Sequence, residues 1–475
     1  MKARIFDPET RKWWTLAAVA FGLFMIMLDN TVVNVALPAI QKDLGADLSA
    51  LEWIVTGYAL TFAAVMLTGG KLADLLGRRL IFVIGLAIFT LSSLACGLAG
   101  SEEVLIGARI VQGVGAALMN PATLSIISAT FPPQQRGMAI GIWAGVSALA
   151  LAIGPLVGGL LTQHASWHWI FFINIPVGIV AIAASFVLID ETKDTSEGQR
   201  LDLPGLLTSG IGLFSLTYAL IEGNTYGWTS ARILVAFAVA VVMLVGFVLL
   251  EQHQKAPMLD LSLFRNSTFA GANAVMLLVA LAMFGVFFFV SLYMQNILGY
   301  SAVQAGAAFL PMTVLIVLIA PIAGKSSDRF GSRWLMGAGM TLLAIQLFYF
   351  SRLSVEESYW SILPAMLIGG VGMSLVMTPA AAAAMSGVPV DKAGVGSAVL
   401  NSARQVGGSV GIALIGAIVA HVAAGRRTPE AFVDGFSTAL VVASLIALAG
   451  AVLAVSTVRT HSRSDAAAPV PEAAA

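Results

Sequence analysis

The sequence predicts an all-α membrane protein with fourteen transmembrane helices. Hydrophobic residues make up 58% of the 475 residues and charged residues only 11%, and the apolar residues fall in long runs with short connectors. A soluble domain carries roughly 25% charged residues, so a soluble fold of this length could not hide so much apolar surface from water. Lipid must therefore surround part of the chain.

Each apolar run is long enough to cross a bilayer, which takes about 20 apolar residues in a helix. The run that begins at 14 is too long for a typical signal sequence and has no cleavage site after it, so we expect a short N-terminal segment, 1–13, and a retained first helix. The tail, 458–475, is expected to be disordered. We predict spans at 14–37, 53–72, 80–99, 104–125, 138–161, 169–189, 204–221, 231–250, 269–296, 303–322, 334–352, 360–385, 398–420 and 436–457.

The Lys and Arg residues predict the orientation, because they favour cytoplasmic loops. Of these 25 residues, 18 fall on the side of the termini, 5 on the other side, and 2, Arg109 and Arg404, within spans. We therefore expect both termini in the cytoplasm. The Ala- and Gly-rich composition favours a bacterial source, so we expect the chain in a bacterial cytoplasmic (inner) membrane.

One internal repeat divides the chain. The loop GKLADLLGRRL, Gly70–Leu80, recurs as GKSSDRFGSRW, Gly324–Trp334, with Gly, Lys, Asp, Gly and Arg at the same offsets. Both copies lie on the predicted cytoplasmic side, which indicates parallel repeats. Since the copies are eight spans apart, the simplest arrangement is six plus two plus six helices: bundles at 14–189 and 269–457, and two extra helices in the linker 190–268.

Several functional classes are disfavoured. A single cysteine, Cys96, allows no internal disulfide, Cys-pair zinc site or redox motif. We find no basic-aromatic pattern typical of nucleic-acid binding and no P-loop for ATP-driven transport. The five histidines lack metal-ligand spacing. We expect no enzymatic activity and no cofactor, with protons as the coupling ion.

Four signatures and two further segments carry a resemblance to the major facilitator superfamily. The loop Gly70–Leu80 resembles its loop signature, and LIGARIVQGVGAA, 105–117, resembles its fourth-helix signature. The segment 141–159 resembles the fifth-helix antiporter signature, through Gly154, Pro155, Gly158 and Gly159. LDNTVVNVALP (28–38), WHWIFFINIPVG (167–178) and NSARQVGG (401–408) resemble the fourteen-span drug:proton antiporter family of multidrug exporters.

The resemblance implies two pseudo-symmetric bundles around a central cavity, lined by spans 1, 2, 4, 5, 9, 10, 12 and 13. It also implies proton-coupled export of lipophilic or cationic compounds by alternating access. An exporter of an endogenous metabolite or lipid precursor, and a non-transporting membrane sensor on the same fold, are the alternatives. We expect a monomer that could work with an accessory periplasmic partner, and we expect no nucleic-acid partner.

Asp29 and Arg109 are the residues expected to couple protons to transport. An ionisable residue within the bilayer costs about 2.5–3.5 kcal/mol or more unless it is paired or wetted, and both residues are predicted at a similar depth. A carboxyl group there could take up a proton from one side and release it to the other. We expect Arg109 to face a wet cavity with Asp29; the alternative is a purely structural ion pair.

Other polar and aromatic residues are expected to line the substrate cavity. They share helix faces in spans 1, 4 and 13, although each could instead pack or bond within the bundle. Arg404 is expected to be an anchor that extends to the membrane surface. The candidate cavity residues are Asn30, Asn34, Tyr58, Gln112, Asn120, Trp143, Asn401 and Gln405.

The repeated loop is expected to form a cytoplasmic latch between the two bundles. Its recurring acid and bases suit ion pairs that hold the bundles together when the cavity opens outward. In span 5, the segment around Pro155 predicts a bend, and its glycines predict close helix contacts. The candidate latch residues are Gly70, Asp74, Gly77, Arg78, Arg79, Asp328 and Arg329.

Overall fold

A computed structural model shows the chain as a bundle of long α-helices. The structure describes residues 7–193, 201–254, 257–386, 388, 393–424, 426 and 428–459, without the side chains of 8, 9, 133, 134, 137, 144, 148, 328, 393 and 394. Most of the predicted disordered tail, from 460 onward, therefore lies outside the described residues.

The N-terminal half contains seven α-helices. Short turns separate them, and α6 and α7 together make one span. Their ranges are α1 Pro8–Leu44, α2 Leu48–Leu76, α3 Arg78–Gly97, α4 Glu102–Thr130, α5 Pro133–His164, α6 Trp169–Phe172 and α7 Asn174–Leu188.

Two further helices, α8 Leu203–Tyr226 and α9 Ala231–His253, follow and pack on each other, and α8 also contacts α2. The C-terminal half then begins after a short 3₁₀ helix, Leu261–Arg265, and it includes a π-helical turn, Tyr293–Ile297. Its ranges are α10 Ser267–Leu292, α11 Ala302–Ala308, α12 Leu310–Phe330, α13 Ser332–Phe350, α14 Tyr359–Ser386, α15 Ala393–Ala423 and α16 Pro429–Thr457.

Among the described residues, thirteen spans are long and apolar enough to cross a membrane. α13 is not one of the thirteen, because Arg333 and Gln346 lower the hydropathy of this 19-residue helix. It nevertheless packs between α14 and α16 as a further helix of the bundle. The predicted all-α membrane fold is confirmed, and the chain is a multi-pass membrane protein.

Contacts between the ends of helices, two of them near the chain termini, define one face of the molecule. Arg11 at the start of α1 bonds to Asp190 after α7 at 2.6 Å, and the Arg459 amide after α16 donates to Thr268 at the start of α10. We call this side the termini face and the other side the opposite face. α1 therefore runs from the termini face to the opposite face, and α2 returns.

The two copies of the repeated loop share a backbone feature. Gly77 between α2 and α3 has φ +130°, and Gly331 between α12 and α13 has φ +81°. Residues other than glycine rarely adopt such positive φ values. Each copy thus makes the same tight connection on the termini face, which explains why glycine recurs at that offset.

Candidate functional site

Asp29 in α1 and Arg109 in α4 form an ion pair inside the N-terminal half. The side chains are 0% and 1% exposed, respectively. A charge without a partner would be strongly destabilising at such a depth, so each residue makes the burial of the other possible. The sequence predicted a similar depth for the two residues, and the structure places them in direct contact.

Neutral polar groups surround this ion pair. Gln112 accepts from Arg109 Nη1 at 2.7 Å and donates to Asp29 Oδ1 at 3.1 Å. Ser93 in α3 accepts hydrogen bonds from Gln112 at 2.7 Å and from Asn174 in α7 at 3.2 Å. Helices α1, α3, α4 and α7 therefore meet in one buried polar network, in which the charges are matched and the amides are bonded.

The remaining faces of the guanidinium are also occupied. Arg109 Nε donates to the backbone carbonyl of Ile54 in α2 at 3.1 Å. The guanidinium carbon lies 4.2 Å from the centre of the Tyr58 ring and 5.8 Å from that of Phe171. Such cation–π contacts strengthen when water is excluded. Arg109 is thus held by residues of α1, α2, α4 and α6 in the N-terminal half.

A central cavity of about 240 Å³ lies between the two halves. The residues that form it come from α1, α4, α5, α10, α14 and α15, in the parts of these helices nearer the termini face. The lining residues are Leu23, Met27, Asn120, Trp143, Ser147, Met276, Met377, Ala381, Met385, Ser397, Leu400, Asn401 and Arg404.

The expectation that Arg109 faces a wet cavity is wrong for this conformation. Neither Asp29 nor Arg109 lines the central cavity, although Met27, two residues before Asp29, does. Side chains two positions apart on a helix point in directions about 200° apart. One face of α1 therefore meets the cavity while the other carries the ion pair into the bundle.

The candidate cavity residues fall into two groups. Asn120, Trp143 and Asn401 line the cavity, and the Trp143 indole is oriented by a 3.0 Å hydrogen bond to Thr123. Arg404 lines the cavity as well, eleven residues after Ala393, so the expectation of an anchor at the membrane surface is wrong.

The other candidates point elsewhere. Tyr58 and Gln112 belong to the ion-pair network, and Gln405 is 1% exposed within the bundle. Asn30 and Asn34 donate to carbonyls one turn earlier in α1, those of Ile26 and Asn30, at 2.9 and 3.3 Å. None of the five contributes to the lining of the described cavity, because packing rather than helix periodicity decides which polar face meets it.

The span 5 glycines lie where α5 contacts two other helices. Gly154 and Gly158 pack against Thr31 and Val32 of α1, so close that a Cβ atom on either glycine would collide with that helix. On the adjacent face, Gly159 packs against Ala302 of α11. α5 continues as one helix through Pro155 and joins α1 to the C-terminal half near the opposite face.

Hydrogen bonds between α1 and the π-helical turn are further contacts between the two halves. Gln295 donates to the Val35 carbonyl at 3.0 Å, and Asn296 donates to Gln41 at 3.3 Å. These contacts join the two halves near the opposite face, whereas the cavity lies toward the termini face.

The candidate latch residues of the first loop copy bond within the N-terminal half. Asp74 and Arg78 form an ion pair at 3.1 Å. Arg79 donates to the Ile189 carbonyl at 3.2 Å and pairs with Glu191 at 3.8 Å.

The remaining candidate latch residues are two glycines of the first loop copy and two residues of the second. Gly70 lies against Pro121 of α4, and Gly77 lies against the Glu191 carboxyl group. Arg329 stacks on Phe330 at 5.1 Å, and the side chain of Asp328 lies outside the described residues. Every partner described above for the first copy comes from the N-terminal half.

A family model described as Major Facilitator Superfamily matches residues 19–412. The chain belongs to the Major Facilitator Superfamily. The tetracenomycin C resistance and export protein of Streptomyces glaucescens is 38% identical over 434 residues, covering 90% of this chain and 79% of that protein. The puromycin resistance protein pur8 of Streptomyces alboniger is 36% identical, covering 94% and 91%. The multidrug resistance protein Stp of Mycobacterium tuberculosis is also 36% identical, covering 86% and 75%.

Solved structures show the same facilitator fold. A bacterial homolog of the human lysosomal transporter Spinster, in an inward-facing and unoccupied conformation, gives a TM-score of 0.67 at 18% identity, covering 94% of this chain and 98% of that one. An auto-inhibited POT family peptide transporter gives 0.68 at 16% identity, covering 96% and 98%. The predicted facilitator fold is confirmed by these likenesses.

Sequence reasoning missed several residues of this facilitator's site. Asn174 is an isolated polar residue in an apolar run, and Ser93 follows Ser92 in an apolar span. Such polar residues within spans are the signal that could have identified them. Glu52, four residues into α2, is 2% exposed and lies against Gly416 of α15. Glu191 accepts hydrogen bonds from the amides of residues 79 and 80 at 3.1 Å, and no sequence pattern pointed to this cap of α3.

Proposed function

We propose that the chain is a proton-coupled exporter of lipophilic drugs or toxic compounds, of the fourteen-span drug:proton antiporter type. Three relatives at 36–38% identity are named as resistance or export proteins for antibiotics or multiple drugs. Their names support a transporter rather than an enzyme. Export by alternating access would carry cargo through the central cavity.

The observation that carries this proposal is the Asp29–Arg109 network and its position on α1. Along this one helix, Met27 lines the cavity, Asp29 enters the network, and Val32 contacts Gly158 of α5. Further on, the Val35 carbonyl bonds to the C-terminal half. A change at Asp29 therefore acts on a helix that lines the cavity at one point and contacts α5 and the C-terminal half near the opposite face.

Protonation of Asp29 would cancel one charge of the pair. Breaking a buried pair by removing one charge typically costs 3–5 kcal/mol, so the network would rearrange rather than keep an uncompensated guanidinium in place. We infer that the carboxylate binds its proton in another conformation, in which this region opens to water. The sealed network then represents the deprotonated, inward-facing step.

Orientation fits this cycle. With both termini in the cytoplasm, as the Lys and Arg count predicts, the cavity lies toward the cytoplasm, where an exporter loads cargo. Each charge that crosses 100 mV of membrane potential supplies about 2.3 kcal/mol. In the outward-facing state, the candidate latch residues Asp74, Arg78 and Arg79 would exchange their present partners for groups of the C-terminal half. We propose a monomer as the working unit.

The proposal is tested with Asp29→Asn in proteoliposomes. An imposed pH gradient should drive cargo movement by the unaltered chain, with proton counterflow read from a trapped pH dye after addition of ethidium or 9-anthracenecarboxylate. We expect at least a tenfold loss of gradient-driven transport in the variant, because asparagine cannot exchange a proton. Asp434→Asn, a matched change at an exposed residue of α16, should transport normally.

The outcomes are distinct. Retained gradient-driven transport in a folded Asp29→Asn protein overturns the assignment of proton coupling to Asp29. Absence of transport by the unaltered chain with every cargo in a panel of lipophilic compounds favours a sensor. Size-exclusion profiles of both variants check that each protein is folded.

A further inference from the structure

Most of the residues that line the central cavity are apolar, and several of them are flexible. Four methionines, Met27, Met276, Met377 and Met385, line it together with Trp143. Thioether side chains are flexible and polarizable, and they make favourable contacts with aromatic rings. This lining suits a flat aromatic body, and it tolerates differences in outline between ligands.

Arg404 supplies the charge of this cavity. Asn120, Ser147, Ser397 and Asn401 are the polar residues beside it, and the described lining contains no carboxylate. Arg404 Nε is buried without a hydrogen-bond acceptor in the part of the chain that the structure describes. The guanidinium therefore presents donors toward a cavity in which the described lining residues offer them no charged partner.

The contrast with Arg109 is informative. Both arginines are within helices of the bundle, but Arg109 is matched by Asp29 and by the acceptors of Gln112 and Ile54. An arginine in a low-dielectric site is stabilised by a carboxylate or phosphate, which its planar donors bind in pairs. A like charge brought into the same site is repelled.

We propose that the cavity selects aromatic anions, with Arg404 as the binding residue for a carboxylate or similar acidic group. The inference rests on the proposed export function and narrows its cargo class. It departs from the cationic cargo implied by the resemblance, because a cation in this cavity would meet a guanidinium that has no counter-charge among the described lining residues. Neutral aromatic compounds would bind through the methionines and Trp143 alone.

The test measures binding of three probes that share one ring system. These are 9-anthracenecarboxylate, 9-anthracenemethanol and 9-(aminomethyl)anthracene, which are anionic, neutral and cationic at pH 7. Fluorescence titration of the full chain in nanodiscs of zwitterionic lipid gives each Kd. We expect the anion to bind roughly tenfold to a hundredfold tighter than the other two, the range for a charge-assisted hydrogen bond.

Arg404→Gln should reduce this preference to less than about twofold while binding of the neutral probe is unchanged, and Arg404→Lys should keep part of it. Arg426→Gln, at an exposed arginine beyond α15, is the matched control and should keep it all. If the Gln variant does not fold, the ranking of the probes on the unaltered chain and on Arg404→Lys still decides.

Equal or tighter binding of the cation, or an anion preference that survives Arg404→Gln, overturns the inference. An anion preference of less than about twofold in the zwitterionic nanodiscs also overturns it. Binding is read without transport, so these outcomes leave the exporter proposal standing. Conversely, unchanged proton-driven transport in Asp29→Asn would overturn the assignment of proton coupling to Asp29 and leave the probe ranking intact.

Discussion

Gly306 of α11 lies directly against the backbone of Pro155 in α5, with no room for a Cβ atom between them. One turn further along α5, Gly159 lies against Ala302 in the same way. Four small or cyclic residues therefore let two helices from different halves touch backbone to backbone near the opposite face. Close helix approach of this kind depends on small residues, because the gain in a membrane comes from van der Waals packing.

Gly306→Leu should open this contact. A leucine side chain cannot fit against the Pro155 carbonyl, so we expect the closed opposite face to separate and transport to fall at least tenfold in a folded protein. The measurement is maleimide labelling of a cysteine placed at Ser147, which lines the cavity, in a Cys96→Ser background. Labelling from the termini face should decrease and labelling from the opposite face should increase.

Gly246→Leu is the matched control for this substitution, because a Cβ atom at Gly246 of α9 would meet nothing within 4 Å. It should leave both transport and labelling unchanged. Normal labelling from the termini face in Gly306→Leu would show that this contact does not set the conformation.

Arg109→Gln should destabilise the protein more than its loss of hydrogen bonds alone would. The substitution leaves the Asp29 carboxylate buried without a cation, which typically costs 3–5 kcal/mol. The double variant Asp29→Asn with Arg109→Gln removes both charges, so we expect it to recover part of that free energy of unfolding. Titration with a denaturing detergent measures the three variants in one cycle.

Arg232→Gln is the control for a loss of cation–π contact, since Arg232 stacks on Tyr226 at 3.9 Å on an exposed surface. Its free energy of unfolding should change by less than about 1 kcal/mol. Additive losses in the Asp29–Arg109 cycle would contradict a shared charge balance.

Asp202→Asn should loosen the segment between α9 and α10. Burial alone raises the pKa of Asp202, but hydrogen bonds from Glu251, Gly205, Gln254 and Met258 lower it below its ordinary value. The Gln254 and Met258 bonds, at 2.6 and 3.1 Å, fix that segment to the start of α8. We expect a loss of about 1–2 kcal/mol in the free energy of unfolding at neutral pH.

The pH dependence of this loss follows from the direction of the shift. Because the pKa in the folded state lies below the value of about 3.9 in the unfolded state, the stabilisation is complete above that value and disappears as the pH falls through the folded pKa. The difference between Asp202→Asn and the unaltered chain should therefore shrink below about pH 4. A difference that is independent of pH would show that the carboxylate charge is not involved.

The fold and part of the site follow from the sequence for physical reasons. Apolar runs of bilayer length and the repeated glycine loop predict the helices and their two-fold repetition. Equal depth in antiparallel helices predicts that Asp29 and Arg109 meet, because two charges in lipid have few other means of stabilisation. These inferences use only length, charge and spacing.

The rest of the site depends on which helix faces pack together. The sequence placed Gln112 and Asn120 on one face of α4, yet the first joins the network and the second lines the cavity. Arg404 was expected at the membrane surface because it lies near one end of predicted span 13. The helix α15 begins earlier, at Ala393, so Arg404 lies deeper along it and lines the cavity. Hydrogen bonds such as that from Gln254 to Asp202 join residues far apart in the chain, and no local pattern predicts them.

The Asp29–Arg109 network draws all its partners from the N-terminal half, whereas the cavity draws residues from both. The machinery proposed for energy conversion is thus self-contained, and the recognition surface is shared. Under the proposed function, substitutions in α14 or α15 would change which ligands bind and leave the Asp29–Arg109 network intact.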